Sequence, residues 1–258
     1  MEGEAMTFCL ALALGDISLV VADTRVNLTH DLGSEANQDG PSDLTISVKN
    51  PNYDLTVPFR FRKIRPVSNG WIASAGDYLL GRKILDLIVE HATDSFAPIH
   101  QLLRIEYPRL KDEIQRQTDF SDEQVSGTVI LGAPFGQSSA WIISFDQSRA
   151  KSDPAVGDYV ANWPEAVPIK VQRQARAQFV QELQAARSEG SIPGLARAAV
   201  CLVATAAEYA NDVGIYSQVG ITIGSSLCLK ESYYLQGSSR DLLSMSDSQL
   251  ATILEKLA

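Results

Sequence analysis

The sequence predicts an α+β domain in which two β-sheets are held between layers of helices. Three observations carry this expectation. Strand-like and helix-like stretches come in blocks: strands, two helices, strands, two helices, strands. The first two strand stretches, 7–14 and 17–22, are apolar almost throughout, as in strands covered on both faces. The stretch PGLARAAVCLVATAAEYA, 193–210, is apolar nearly all round, so it needs burial on most of its faces.

Composition bounds the rest. A chain of 258 residues with 45% hydrophobic side chains can fill a substantial core. The net charge of −9 argues against nucleic acid, which is bound by Lys and Arg neutralising phosphates, and against an anionic membrane surface. No uninterrupted apolar run approaches the roughly 20 residues that span a bilayer. No Lys or Arg precedes the N-terminal apolar stretch and no secretory cleavage pattern follows it, so a cytoplasmic location is expected. Cys9, Cys201 and Cys228 are isolated from one another, which predicts neither a disulfide framework nor a zinc site.

Taken in order, residues 1–6 (MEGEAM) read as a leader or an alternative start, with Met6 directly before the small residue Thr7. Residues 7–258 read as one domain. Gly15-Asp16 is the turn between the first two strands. Residues 27–58, rich in Gly, Pro, Asp, Asn and Ser, are expected to form a long loop with one short strand at 44–48. FRFRKIRPV, 59–67, alternates apolar and basic residues as on a half-exposed strand, and WIASA, 71–75, is a buried one. Asp77 opens a helix with Leu80, Ile84, Leu87 and Ile88 on one face, and a second runs from Pro98 to about Arg116, kinked or split at Pro108. Strands at 127–131 and 140–145 follow, then an irregular stretch, 148–168. Helices at 171–187 and 192–210 precede strands at 219–223 and 227–235. The C-terminal helix from Asp247 carries Ser246 and Gln249 in capping-box spacing.

The chemistry starts where the second strand ends. Asp23 and Arg25 flank Thr24 at the exit of an apolar strand, where charges are costly to bury unless paired. The plain reading is an ion pair that closes the strand end. A second reading takes Thr7 as a mature N-terminus. A threonine hydroxyl is a weak nucleophile without an adjacent base, and an N-terminal threonine brings its own, an α-amine with an unperturbed pKa of about 7.7–8.0. Such a site needs a positive neighbour, an anion to orient it and a donor for the oxyanion; Lys63, Asp23 and the backbone N–H of Gly76 are the candidates.

Thr7 leading a strand, Ala22-Asp23-Thr24-Arg25 at the hairpin exit, Lys63-Ile64, and Ala75-Gly76 opening the first helix together resemble the proteasome β-subunit family of N-terminal-nucleophile hydrolases. The likeness is nearest to the bacterial ancestral β-subunit branch. It implies a four-layer αββα sandwich. It implies Thr7 as nucleophile, Asp23 orienting and balancing Lys63, Lys63 lowering the pKa at Thr7, Arg25 buttressing Asp23, the Gly76 N–H holding the oxyanion, and Asp212 as the acid near the amine. It further implies peptide or unfolded protein as substrate and self-association into a ring or stacked homo-oligomer, with neither metal nor organic cofactor required. The chain departs from the family at the assisting serine: Val156-Gly157-Asp158 stands where Gly-Ser-Gly is usual, and the third position beyond Asp212 is Ile215, with Ser217 two residues further on. Two other functions fit the same fold, a catalytically silent scaffold subunit and a relative that transfers the acyl group to an amine.

Overall fold

The computed structural model describes residues 8–23, 45–50, 53–58, 63–68, 70–91, 96–117, 125–133, 139–146, 150–151, 159–210, 213, 216–224 and 230–257. Two antiparallel sheets organise them. The first joins six strands in the order β10-β1-β2-β11-β12-β13: β1 (Cys9–Leu14), β2 (Ile17–Asp23), β10 (Tyr159–Asn162), β11 (Tyr216–Gly224), β12 (Lys230–Ser238) and β13 (Glu255–Leu257). The second joins five in the order β5-β6-β7-β8-β9: β5 (Ile64–Val67), β6 (Gly70–Gly76), β7 (Gly127–Ala133), β8 (Ser139–Ser144) and β9 (Ala150–Lys151). The helices are α1 (Tyr78–Glu90), α2 (Phe96–Gln117), α3 (Ile169–Glu189), α4 (Ile192–Tyr209), α5 (Ser239–Ser244) and α6 (Asp247–Ile253).

Three apolar clusters hold these elements together. Leu10, Leu12, Leu19 and Val21 of the first hairpin pack with Phe179 and Leu183 of α3 and with the apolar residues of α4. Ile72, Val129, Leu131 and Ile143 of the five-stranded sheet pack with Leu80, Ile84 and Ile88 of α1 and Leu103, Leu110 and Ile114 of α2. The opposite faces of the two sheets share a third cluster made largely of small residues, Cys9, Ala11, Val20, Ala22, Ala73, Ala75, Ile130 and Ala140, around Trp71. Strand alternation sends Leu10 one way and Ala11 the other, which is why the hairpin strands are apolar at nearly every position. Gly220 makes room for Trp71, since a Cβ there would lie 2.2 Å from the Trp71 ring.

Local chemistry accounts for the helix ends. The Asp77 carboxylate accepts from the Leu80 N–H at 2.8 Å and caps α1. Ser191 accepts from Gly194 N and caps α4. The Ser246–Gln249 capping box starts α6. By length and apolarity α4 could cross a membrane, but Leu195, Ala199, Leu202 and Val203 are buried in the first cluster.

Several expectations are corrected. Residues 45–58 contain a two-stranded antiparallel ladder, β3 (Thr45–Asn50) with β4 (Tyr53–Pro58), in place of one short strand in a loop. Pro108 does not split α2, which continues from Phe96 to Gln117. It lies on the exposed face beside Arg104, so the carbonyl it leaves unbonded faces water, while Tyr107 and Leu110 anchor the other face. The stretch 148–168 contains β9 and β10, and β10 pairs with β1 along the whole ladder from Cys9↔Asn162 to Leu12↔Tyr159. With only four residues, β10 is too short for a pattern, and its partner decides it. For the same reason α5 and β13 leave no periodic signal. Residues 59–62 of the expected basic strand lie outside the described residues; its second half is β5.

Candidate active site

The site begins where β1 and β2 diverge. Cys9 pairs with Ala22, and one step beyond, the Asp23 N–H donates to the Phe8 carbonyl at 3.1 Å. The Asp23 side chain then turns back, and its Oδ2 accepts from the Phe8 N–H at 2.8 Å. The carboxylate thus grips the backbone of the residue that follows Thr7. Its other oxygen, Oδ1, faces Lys63 Nζ at 3.2 Å. Asp23 is completely buried and Lys63 is 5% exposed. A buried carboxylate needs partners that replace its water, and here a cation and an N–H do so.

Lys63 reaches Asp23 because its backbone is fixed from both sheets. It stands just before β5, and its carbonyl accepts from the Ser74 N–H of β6 at 3.3 Å. The next N–H, of Ile64, donates to Oε1 of Gln218 at 3.4 Å. Gln218 is 1% exposed and belongs to β11, in the other sheet. Its side chain therefore ties the two sheets together one residue from the lysine.

Gly76 ends β6 two residues beyond Ser74, about 7 Å further along the strand at the usual rise. Its φ is +109°, and a Cβ there would lie 2.4 Å from both Gly127 Cα and Ser126 O. Only glycine fits this backbone, and the following N–H, of Asp77, is tied to Ser126 O at 2.8 Å. Gly76 and Lys63 thus lie toward the same end of the five-stranded sheet.

Cys9, buried beside this pair, is a core residue. Burial pushes its thiol well above the ordinary range, the nearby Lys63 charge offsets this in part, and Asp23 adds to it. The thiol is held protonated and unreactive while its Sγ faces the Ser74 carbonyl at 3.8 Å.

Of the six residues picked from the sequence, Asp23 and Lys63 are brought into contact, and Gly76 lies near Lys63 along the sheet. Thr7, Arg25 and Asp212 lie outside the described residues. Two buried polar groups were given no role from the sequence. Ser217 is directly opposite Asp23 in the β2–β11 ladder, fully buried, with its Oγ 2.7 Å from Ser239 Oγ. Its displacement from the spacing expected after Asp212 hid it. Gln218 had one available signal, the lone amide side chain of its strand. Phe8 also meets Trp163 edge to face, ring centroids 4.8 Å apart. Among the described residues no group of three His, Cys, Asp or Glu could hold a metal ion.

No family model matches the chain, and no curated protein matches it. Solved structures do. Anbu (ancestral beta-subunit) from Yersinia bercovieri aligns with a TM-score of 0.50 at 13% identity, covering 92% of this chain and 90% of that one. An Anbu (Gly-1) mutant from Hyphomicrobium sp. strain MC1 aligns with a TM-score of 0.51 at 14% identity, covering 95% and 96%. At these identities the likeness speaks for the fold: this chain has the architecture of the Anbu (ancestral beta-subunit) structures.

Proposed function

We propose that the protein is a threonine-type peptide amide hydrolase, active once residues 1–6 are removed and Thr7 is the N-terminus. The observation that supports this reading is the buried Asp23 carboxylate, which holds Lys63 Nζ with one oxygen and the Phe8 N–H with the other. A strand-end ion pair needs only a nearby cation. Here the carboxylate takes a lysine from a distant part of the chain and also orients the backbone that carries Thr7.

In this mechanism the Thr7 amine takes the proton from the Thr7 hydroxyl, whose oxygen attacks the substrate carbonyl. Lys63 favours the deprotonated oxygen by its charge, and Asp23 fixes Lys63. The Gly76 N–H stabilises the tetrahedral oxyanion. The amine returns the proton to the departing nitrogen, and water clears the acyl ester. Arg25 supports Asp23, and Asp212 lies near the amine. The surrounding scaffold in this reading is a single domain, 7–258, forming a four-layer αββα sandwich of the N-terminal-nucleophile type. It self-associates into rings or stacks in the cytoplasm and takes peptides or unfolded protein.

Intact-mass measurement and labelling with a threonine-directed electrophile test the proposal. The expected chain begins at Thr7, labels on that residue, and stops labelling when Thr7 is replaced by Ala. A chain that remains at Met1, or equal labelling of wild type and Thr7→Ala, overturns it in favour of a silent scaffold. Product analysis with an added amine separates hydrolysis from acyl transfer.

A further inference from the structure

A cleft of about 270 Å3, lined by neither Asp23 nor Lys63, lies at the edge of the six-stranded sheet where β10 meets β8 and α3. Tyr159, Trp163 and Ile169 supply apolar wall, and Gln172, Arg173 and Arg176 supply polar groups. On α3, residues 169, 172, 173 and 176 follow helical neighbour spacing and form one stripe facing the cleft. No acidic side chain is among the lining residues, although the chain carries a net charge of −9.

Two further features are unexplained by the described residues alone. Tyr159 is 5% exposed, yet its buried hydroxyl has no hydrogen-bond partner among the described residues, a costly state for a buried polar atom. Burial pushes this phenol up to about 12, while the Trp163 indole N–H, near the oxygen but outside hydrogen-bonding geometry, and the Arg176 charge pull the other way. The hydroxyl is therefore a donor at neutral pH. Ile169 is 61% exposed at the rim, a large apolar side chain turned to water.

We infer that this cleft binds a small organic anion with a flat apolar body, an aromatic carboxylate or aryl phosphate. Its acidic group meets Arg173 and Arg176 and accepts from the Tyr159 hydroxyl, while its ring lies against Trp163 and Ile169. Size supports this class: a cavity of roughly 150 Å3 holds benzene, so the cleft has space for a ring and an acidic group. So does the lining, which is mostly apolar with a few converging polar groups. Arg176 already lies 4.8 Å from the Tyr159 ring centroid, which holds its guanidinium over the wall of the cleft.

Isothermal titration with benzoate, phenyl phosphate, benzamide and inorganic phosphate tests the inference, with tryptophan fluorescence as a second readout. The expected result is saturable binding of benzoate, phenyl phosphate or both, about tenfold or more tighter than benzamide and inorganic phosphate. Binding of one acid alone supports the inference and identifies the group the site prefers. Arg173 is exposed, so Arg173→Ala should fold normally and weaken binding about tenfold. Trp163→Phe should abolish the fluorescence change that Trp71 and Trp141 do not report. Absence of saturable binding by either acid, equal affinity for benzamide, or an unchanged affinity in Arg173→Ala overturns it. None of these outcomes depends on whether Thr7 is a nucleophile.

Discussion

Lys63 Nζ lies 3.2 Å from Asp23 Oδ1, in an ion pair whose members are 40 positions apart in the chain and almost wholly removed from water. Breaking a buried pair from one side leaves the other charge uncompensated, which costs about 3–5 kcal/mol. Lys63→Met should therefore lower stability by that order in urea unfolding. The double variant Asp23→Asn with Lys63→Met should lose clearly less than the sum of the two single changes. Additive losses would show that the two groups do not interact. Both single variants should also abolish labelling at Thr7.

Gly76 and Gly190 both have positive φ, +109° and +66°, but they differ in surroundings. Among the described residues nothing lies within 4 Å of a Cβ at Gly190, whereas one at Gly76 meets backbone at 2.4 Å. Gly190→Ala should cost about 1 kcal/mol, the penalty of the left-handed conformation alone. Gly76→Ala should cost at least about 2 kcal/mol more, because the neighbouring strand must move. Equal melting shifts in the two variants would refute the difference in surroundings.

Gln218 bridges the sheets beside Lys63, so replacing its acceptor should be felt there. Gln218→Met keeps most of the volume and leaves the Ile64 N–H without its partner, at a cost of about 1–3 kcal/mol. Hydrogen exchange should show lost protection at the Ile64 amide specifically. Slower Thr7 labelling in a variant that remains folded would show that the bridge positions the lysine.

Tyr159 predicts a pH effect. Its phenol ionises at about 12 in the folded protein against 10 unfolded, because burial disfavours the charged form. The folded state therefore holds the proton more tightly. The resulting stability is full below pH 10 and is lost as pH rises toward 12, on the order of 2–3 kcal/mol in all. Comparing urea unfolding at pH 9 and pH 11.5, wild type should lose more stability than Tyr159→Phe. At pH 7 the variant should be as stable as wild type or more so, since it removes a buried hydroxyl that lacks a partner among the described residues.

Much of the architecture was legible because it rests on local signals. The largely apolar hairpin at 7–22, the cap residue Asp77, the Ser246–Gln249 box and the nearly all-apolar helix α4 each state their own environment through side-chain type and period. The β3–β4 ladder, the four-residue β10 and the unbroken passage of α2 through Pro108 were not legible. Each exists because a partner strand or a buried face elsewhere in the chain outweighs a weak or contrary local preference.

The site divides in the same way. Residue type and spacing picked out Asp23, Lys63 and Gly76, because a charge at the end of an apolar strand and a small-residue step before a helix are visible in one dimension. The sequence by itself offered Arg25 and Lys63 as cations for Asp23. Folding brought Lys63 to the carboxylate, tied the Phe8 N–H to its other oxygen, placed Ser217 opposite it and set Gln218 across the sheets. Those choices depend on strand register and on how closely the two sheets approach, quantities fixed by the packing of the small residues between them and absent from any local stretch of chain.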